Sequence, residues 1–196
     1  MIPLALDPKF VKLAVAGNGA LALRRLRALR AAGAEEVVVY ADAPEAALAD
    51  EAGDLLRLHM PGAAEIGALH ALWIVDVAED VGAGLAGLAR GLTVLVNFED
   101  RPEFCDFHSV AEVRRGDLLV TVSTGGAAPG LAGSIRRRLE GCFGPEWDGR
   151  VARVKALRGE WRAEGVKMPE AARRIEALVA EGCWLNCPTE DASGSN

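Results

Sequence analysis

Short apolar runs alternate with longer amphipathic stretches through the first half of the chain. Lys12-Leu13-Ala14-Val15-Ala16 is an apolar run ending in glycine, the pattern of a strand buried on both faces. Over 20–32, Leu21, Leu23, Leu26 and Leu29 alternate with Arg24, Arg25, Arg27 and Arg30, which predicts a helix with one apolar stripe and one basic side. Gly33 follows as its stop. Residues 36–40 are a second, β-branched run, and the turn over 41–44 closes it. The alternation continues with a helix over 44–52, a short strand over 55–59, a helix over 63–70 and a strand over 72–75 that ends at Asp76. A helix over 81–90, a strand over 92–96 and a strand over 117–122 come next. Strands separated by helical stretches predict βαβ units, and hence an α/β fold with a parallel sheet.

The pattern changes near residue 110, where small-residue alternation gives way to one strand, a glycine loop and charged helices over 131–142, 148–164 and 169–182. The expected organisation is therefore a sheet domain over 1–110, a connecting segment over 111–145 and a helical region over 146–188. The polar end, 189–196, is expected to be disordered.

Hydrophobic residues make up 51% and charged residues 26% of the 196, enough apolar surface for a folded core. The net charge of −6 argues against nucleic acid or an anionic membrane as an indiscriminate partner. Cys105, Cys142, Cys183 and Cys187 are scattered rather than evenly spaced, which does not read as a disulfide scaffold and fits a reducing cytoplasm. A charge at Asp7 interrupts the N-terminal apolar residues, so neither a signal peptide nor a membrane span is expected.

The candidate chemistry begins where the first strand meets Gly17-Asn18-Gly19-Ala20-Leu21-Ala22, a G-x-G-x-x-A element that opens a helix. In a dinucleotide site Gly17 turns the chain tightly, Gly19 admits a pyrophosphate to the backbone, and Ala22 packs the helix on the sheet. An ordinary tight turn between strand and helix is the alternative. The acid expected after the second strand is displaced from Tyr40 to Asp42, and no Arg or Lys between Val37 and Pro44 is available for a 2′-phosphate. Gly17, Asn18, Gly19, Ala20, Leu21, Asp42 and Ala43 are thus candidate cofactor residues, with NAD favoured over NADP.

Further blocks occur in one order: Ile2-Pro3-Leu4-Ala5-Leu6, the glycine turn with Arg24-Arg25, Asn97-Phe98-Glu99-Asp100-Arg101-Pro102, and Ser123-Thr124-Gly125-Gly126-Ala127-Ala128-Pro129-Gly130-Leu131-Ala132 with Ile135-Arg136. Together, over about 1–145, they resemble the precorrin-2 dehydrogenase family, the dehydrogenase module of siroheme synthases. The resemblance implies a homodimer with an N-terminal Rossmann domain that binds NAD, a dimerisation segment and a helical end. It also implies oxidation of precorrin-2 to sirohydrochlorin in siroheme or cobalamin biosynthesis; some members additionally insert ferrous iron. The catalytic aspartate of that family falls on Asp100, with Glu99 as a neighbouring carboxylate.

Aromatising a tetrapyrrole removes a hydride and a proton, so the site needs an acceptor and a base. Asp100, just past a strand end, is placed for the second role, against the alternative that it caps the turn at Arg101-Pro102. Ser123, Thr124 and Gly125, with Arg136 of the Arg136-Arg137-Arg138 run, are candidate contacts for the substrate's carboxylates, although such a run spans too much of a helix to face one ligand. Departures from the family pattern are Asp76-Val77-Ala78 in place of Thr-Asp-Asp, and His108-Ser109-Val110 after Phe107. His59, His70 and His108 do not define a metal site, and zinc at Cys183 and Cys187 is not expected. A non-catalytic NAD-sensing module and a different small NAD-dependent oxidoreductase remain alternatives.

Overall fold

Parallel pairing of the short apolar runs builds the first of two units, Met1–Ser109 and Val110–Asn196. The computed structural model describes residues 1–187, so the stretch expected to be disordered, 189–196, lies outside the described residues. In the first unit β1 (Leu13–Ala16), β2 (Val38–Tyr40), β3 (Leu56–Arg57), β4 (Ala71–Ile74) and β5 (Leu95–Phe98) form a parallel sheet of order β3-β2-β1-β4-β5. Helices α1 (Ala20–Ala31), α2 (Ala46–Ala52), α3 (Ala63–Ile66) and α4 (Glu79–Gly91) make the crossovers.

The strands' period of two explains the layers. Leu13, Val15, Val37, Val39, Trp73 and Val75 share one apolar cluster with Leu26 of α1 and Leu48 of α2. Their alternates Ala14, Ala16, Tyr40, Leu72, Ile74, Val96 and Phe98 share the other with Ile66, Leu85, Ala86 and Ala89 of α3 and α4. The sheet is therefore covered on both faces, which is why its strands read as continuous apolar runs. Strand order reverses beside β1, whose neighbours on its two edges are β2 and β4. In open α/β sheets that reversal places a ligand crevice at the carboxyl ends of the strands.

The last strand of this sheet lies further along the chain than the expected 92–96. Helix α4 runs on to Gly91, and Thr93 adopts φ 59°, so pairing with β4 starts only at Leu95. The segment after β5 is wired back by polar contacts. Buried Asn97 donates to the Phe107 carbonyl at 2.9 Å, and Asp106 accepts from Val96 N at 3.0 Å and from Arg90 Nε at 2.7 Å. Phe107 closes edge-on against Trp73, ring centroids 5.0 Å apart.

The second unit opens with a hairpin of which the periodicity showed only one strand. Strand β6 (Ala111–Arg115) pairs antiparallel with β7 (Leu118–Val122) across Gly116-Asp117. Only Val113 of β6 is buried, so its Ala-Glu-Val-Arg-Arg sequence carries little apolar signal. Helices α5 (Pro129–Cys142), α6 (Glu146–Ala163) and α7 (Met168–Glu181) follow. Trp147 is buried beside Phe143, with Arg150 stacked on the Trp147 and Trp184 rings at 5.1 and 5.5 Å. The cysteine reading is corrected here: Cys142 and Cys187 form a disulfide, with Cα atoms 4.6 Å apart across a sequence separation of 45. Spacing alone could not show it, because the partners meet only when the segment after α7 returns to the end of α5. Among the described residues no helix is long and apolar enough to cross a membrane, and no group of three or more His, Cys, Asp and Glu is arranged to hold a metal ion.

Two outcomes are expected. Asn97→Ala leaves the Phe107 carbonyl without its donor and lowers stability by about 1–3 kcal/mol in urea unfolding; an unchanged midpoint would show that the amide contributes nothing net. Cys187→Ser lowers the thermal midpoint, within a chain-entropy limit of about 4 kcal/mol for a loop of this length. Identical melting with and without reductant would contradict it.

Candidate functional site

The crevice lies where β1 and β4 end side by side. Gly17 has to be glycine, since a Cβ there would run into the carbonyl of Val75, the residue that follows β4. Asn18 clasps this turn to the end of β2: its Nδ2 donates to Asp42 Oδ1 at 2.8 Å, its Oδ1 accepts from Ala43 N at 3.1 Å, and its carbonyl accepts from Glu45 N at 2.8 Å. Asn18, Gly19, Ala20, Leu21 and Ala43 then line one cavity of about 440 Å³, with Glu45 and Asp76 on its wall. Six of the seven predicted cofactor residues thus meet here directly or through Asn18. The seventh, Gly17, turns the chain into the cavity.

Asp76 is the component that the sequence pattern did not assign. It follows β4 with φ 52°, and this left-handed turn aims its side chain back at α1. Its Oδ2 accepts from Leu21 N at 2.7 Å and from Ala22 N at 3.1 Å. Gly19, the N-cap of α1, has no side chain to serve those first-turn donors, so an acid from another strand does so. An acid directly after a strand beside the reversal in strand order was the available signal.

A second cavity of about 250 Å³ adjoins, lined by Leu21, Asp76, Val77, Phe98 and the run Glu99-Asp100-Arg101, with Glu79. Leu21 and Asp76 are common to both cavities. The two neighbouring acids behave differently. Glu99 is held by Arg24 at 2.6 Å and Arg25 at 3.3 Å, and Arg101 is paired with Glu79 at 2.5 Å. The Asp100 carboxylate makes no hydrogen bond or ion pair among the described residues, and its backbone sits at φ 62°. The turn after it closes through Phe98 and Arg101 carbonyls, not through the Asp100 side chain. What remains is an exposed, uncommitted carboxylate at the cavity wall.

Ser123, Thr124, Gly125 and Arg136 lie in the second unit. Ser123 Oγ accepts from Gly125 N and Thr124 Oγ1 from Ala128 N, each at 3.2 Å, so both hydroxyls shape the turn into α5. Arg136 is ion-paired with Glu140 one turn on, and Arg137 donates to Ser134. The remaining candidates are local. His70 Nδ1 accepts from Lys12 N, and His59 lies against Tyr40 and Glu65. Burial pushes the Cys105 thiol pKa up, and its Sγ donates to the Phe98 carbonyl, so the group is engaged in local packing.

The siroheme synthases of Methylococcus capsulatus and Chromobacterium violaceum are 34% and 36% identical to the chain over 184 and 185 residues, 92% of it in each case. The chain spans only 38% of the length of either. The siroheme biosynthesis protein met8 of Schizosaccharomyces pombe is 28% identical over 186 residues, 67% of its own length. Among solved structures, "SirC, precorrin-2 dehydrogenase" superposes with a TM-score of 0.73 over 95% of this chain and 93% of that one, at 19% identity, which shows the shared fold. The NAD(P)-binding family model matches residues 4–111, just over half of the chain and the whole of the glycine-turn sheet, and the chain belongs to that family.

Proposed function

We propose that the protein oxidises precorrin-2 to sirohydrochlorin, with NAD as hydride acceptor. The observation that carries the reading is Asp100, an unpaired carboxylate on a left-handed backbone, lining a cavity that shares Leu21 and Asp76 with the glycine-turn crevice. The relatives suggest the substrate: siroheme synthases at 34% and 36% identity, and a fold neighbour named as a precorrin-2 dehydrogenase.

The residues present fit a dinucleotide. The first-turn N–H groups of Leu21 and Ala22 sit at the crevice, where they donate to Asp76 Oδ2 in the position an anion would take, and a Cβ on Gly19 would crowd the space between Asp76 and Glu45. Asp42 has Oδ1 committed to Asn18 and Oδ2 left to accept from a ribose hydroxyl. The nicotinamide, when bound, supplies the hydride acceptor. The chain supplies the rest: Asn18 fixes Asp42, the Arg24–Glu99–Arg25 cluster keeps Glu99 out of proton transfer, and Asp100 takes the proton lost from the macrocycle.

Asp42 also supports the choice of NAD. A 2′-phosphate would meet this carboxylate, and no Arg or Lys lies between Val38 and Glu45 to offset it. Dimerisation belongs to the same reading. The second unit fully buries few large side chains, leaves Leu131 and Ile135 exposed on one face of α5, and has no strand beyond β6 and β7 in its sheet among the described residues. A second copy covering that face gives the unit a core that one chain lacks.

Anaerobic turnover of enzymatically generated precorrin-2 with NAD is expected to yield the sirohydrochlorin spectrum. Asp100→Asn lowers kcat by roughly 10²–10⁴-fold while leaving NAD affinity unchanged. Tight NAD binding without product would favour a sensor. NADP is expected to bind at least about tenfold more weakly than NAD, a gap that Asp42→Ala narrows; equal affinities in wild type would remove Asp42 from that role. Light scattering is expected to give the mass of two chains.

A further inference from the structure

We infer that Asp76 is a built-in competitor of the cofactor's pyrophosphate, a side chain that holds the phosphate donors of α1 and must leave them before NAD can bind. The inference rests on the cofactor reading above and adds to it a residue that sets affinity. The glycine turn and α1 form the nucleotide site; the new element is the anion already seated there.

Three observations combine. The N–H groups of Leu21 and Ala22 belong to the first turn of α1, where no carbonyl four residues back is available, and a pyrophosphate would use such donors. Both now donate to one oxygen of Asp76, at 2.7 and 3.1 Å. A Cβ placed on Gly19 would lie 2.9 Å from Asp76 Oδ2 and 3.3 Å from Glu45 Oε1, so two carboxylates flank the gap that Gly19 keeps open. Among the described residues no Lys or Arg lines this cavity. An incoming pyrophosphate therefore meets a negative wall and an occupied helix terminus.

The occupancy is held by backbone geometry. Asp76 turns at φ 52°, and Asp is among the few non-glycine residues that tolerate this region. The carboxylate thereby reaches α1 from the end of β4. Rotation about its side-chain bonds releases the donors without moving either element. In the free protein Asp76 caps α1; in the bound protein the phosphates take over that role, and the difference between the two lowers the net affinity.

The test is calorimetric titration of the full chain with NAD, ADP-ribose and adenosine, on wild type, Asp76→Asn and Asp76→Ala, with thermal melts of each. Both variants are expected to bind NAD and ADP-ribose roughly 5- to 30-fold more tightly than wild type, with adenosine unchanged. The ligand-free melting point of Asp76→Ala falls, because α1 loses its cap, that of Asp76→Asn falls less, since its amide oxygen can still accept from the same donors, and the NAD-induced shifts of both grow. Weaker NAD binding in Asp76→Asn would overturn the inference and make Asp76 an ordinary cofactor contact. Equal tightening of adenosine would also overturn it, since adenosine carries no phosphate. Wild type that binds NAD while neither variant binds it better removes this inference alone; failure of all three proteins to bind NAD removes the cofactor reading as well.

Discussion

Strand β1 is paired on both edges and covered on both faces, and this double enclosure constrains everything around it. Its register is tied to β2 through Ala16 and Tyr40 and to β4 through Ala16 and Ile74. A strand so enclosed leaves the sheet only at its carboxyl end, next to two neighbours whose connections diverge. The Gly17 amide donates to the Tyr40 carbonyl and the Val75 amide to the Ala16 carbonyl, both at 2.9 Å, so the three strand ends are fixed to one another at the crevice. The glycine turn, Asp42 and Asp76 are consequences of that junction.

A second constraint is electrostatic. An acidic chain carries four arginines on α1 and engages them locally: Arg24 and Arg25 with Glu99, Arg27 and Arg30 with Glu51. The Arg27 and Arg30 hydrogen bonds hold the Glu51 carboxyl below the usual carboxylate range, Arg27 contributing most. The cationic side of α1 therefore ties the helix to β5 and α2 instead of presenting positive charge to a ligand. This division of labour leaves Asp100 uncommitted in a segment where Glu99, Arg101 and Asp106 are all engaged.

Much of this was legible along the chain. Short continuous apolar runs gave the strands of the first unit, because both faces of the sheet are covered, and amphipathic stretches gave the helices, each of which buries one face. The G-x-G-x-x-A spacing carries the turn wherever it follows a strand. Less legible was β6, whose five residues include one buried side chain, and the start of β5, displaced by the extra length of α4. The Cys142–Cys187 bond was invisible for a different reason, since spacing does not report which helix ends return to each other.

Residue types and local order determined the α/β alternation, the glycine turn and the choice of Asp42, and the resemblance of the ordered blocks to a family pointed to Asp100. Tertiary structure alone decided which acids are free. Glu99 and Asp100 are adjacent in sequence, yet one meets two guanidiniums from α1, 74 and 75 residues away, and the other meets none. Asp76 marked a departure from a family pattern until folding brought β4 beside β1 and set its carboxylate on the α1 amides. Charge and spacing are properties of the chain; whether a charge is paired, capped or available depends on groups that only the packed sheet makes neighbours.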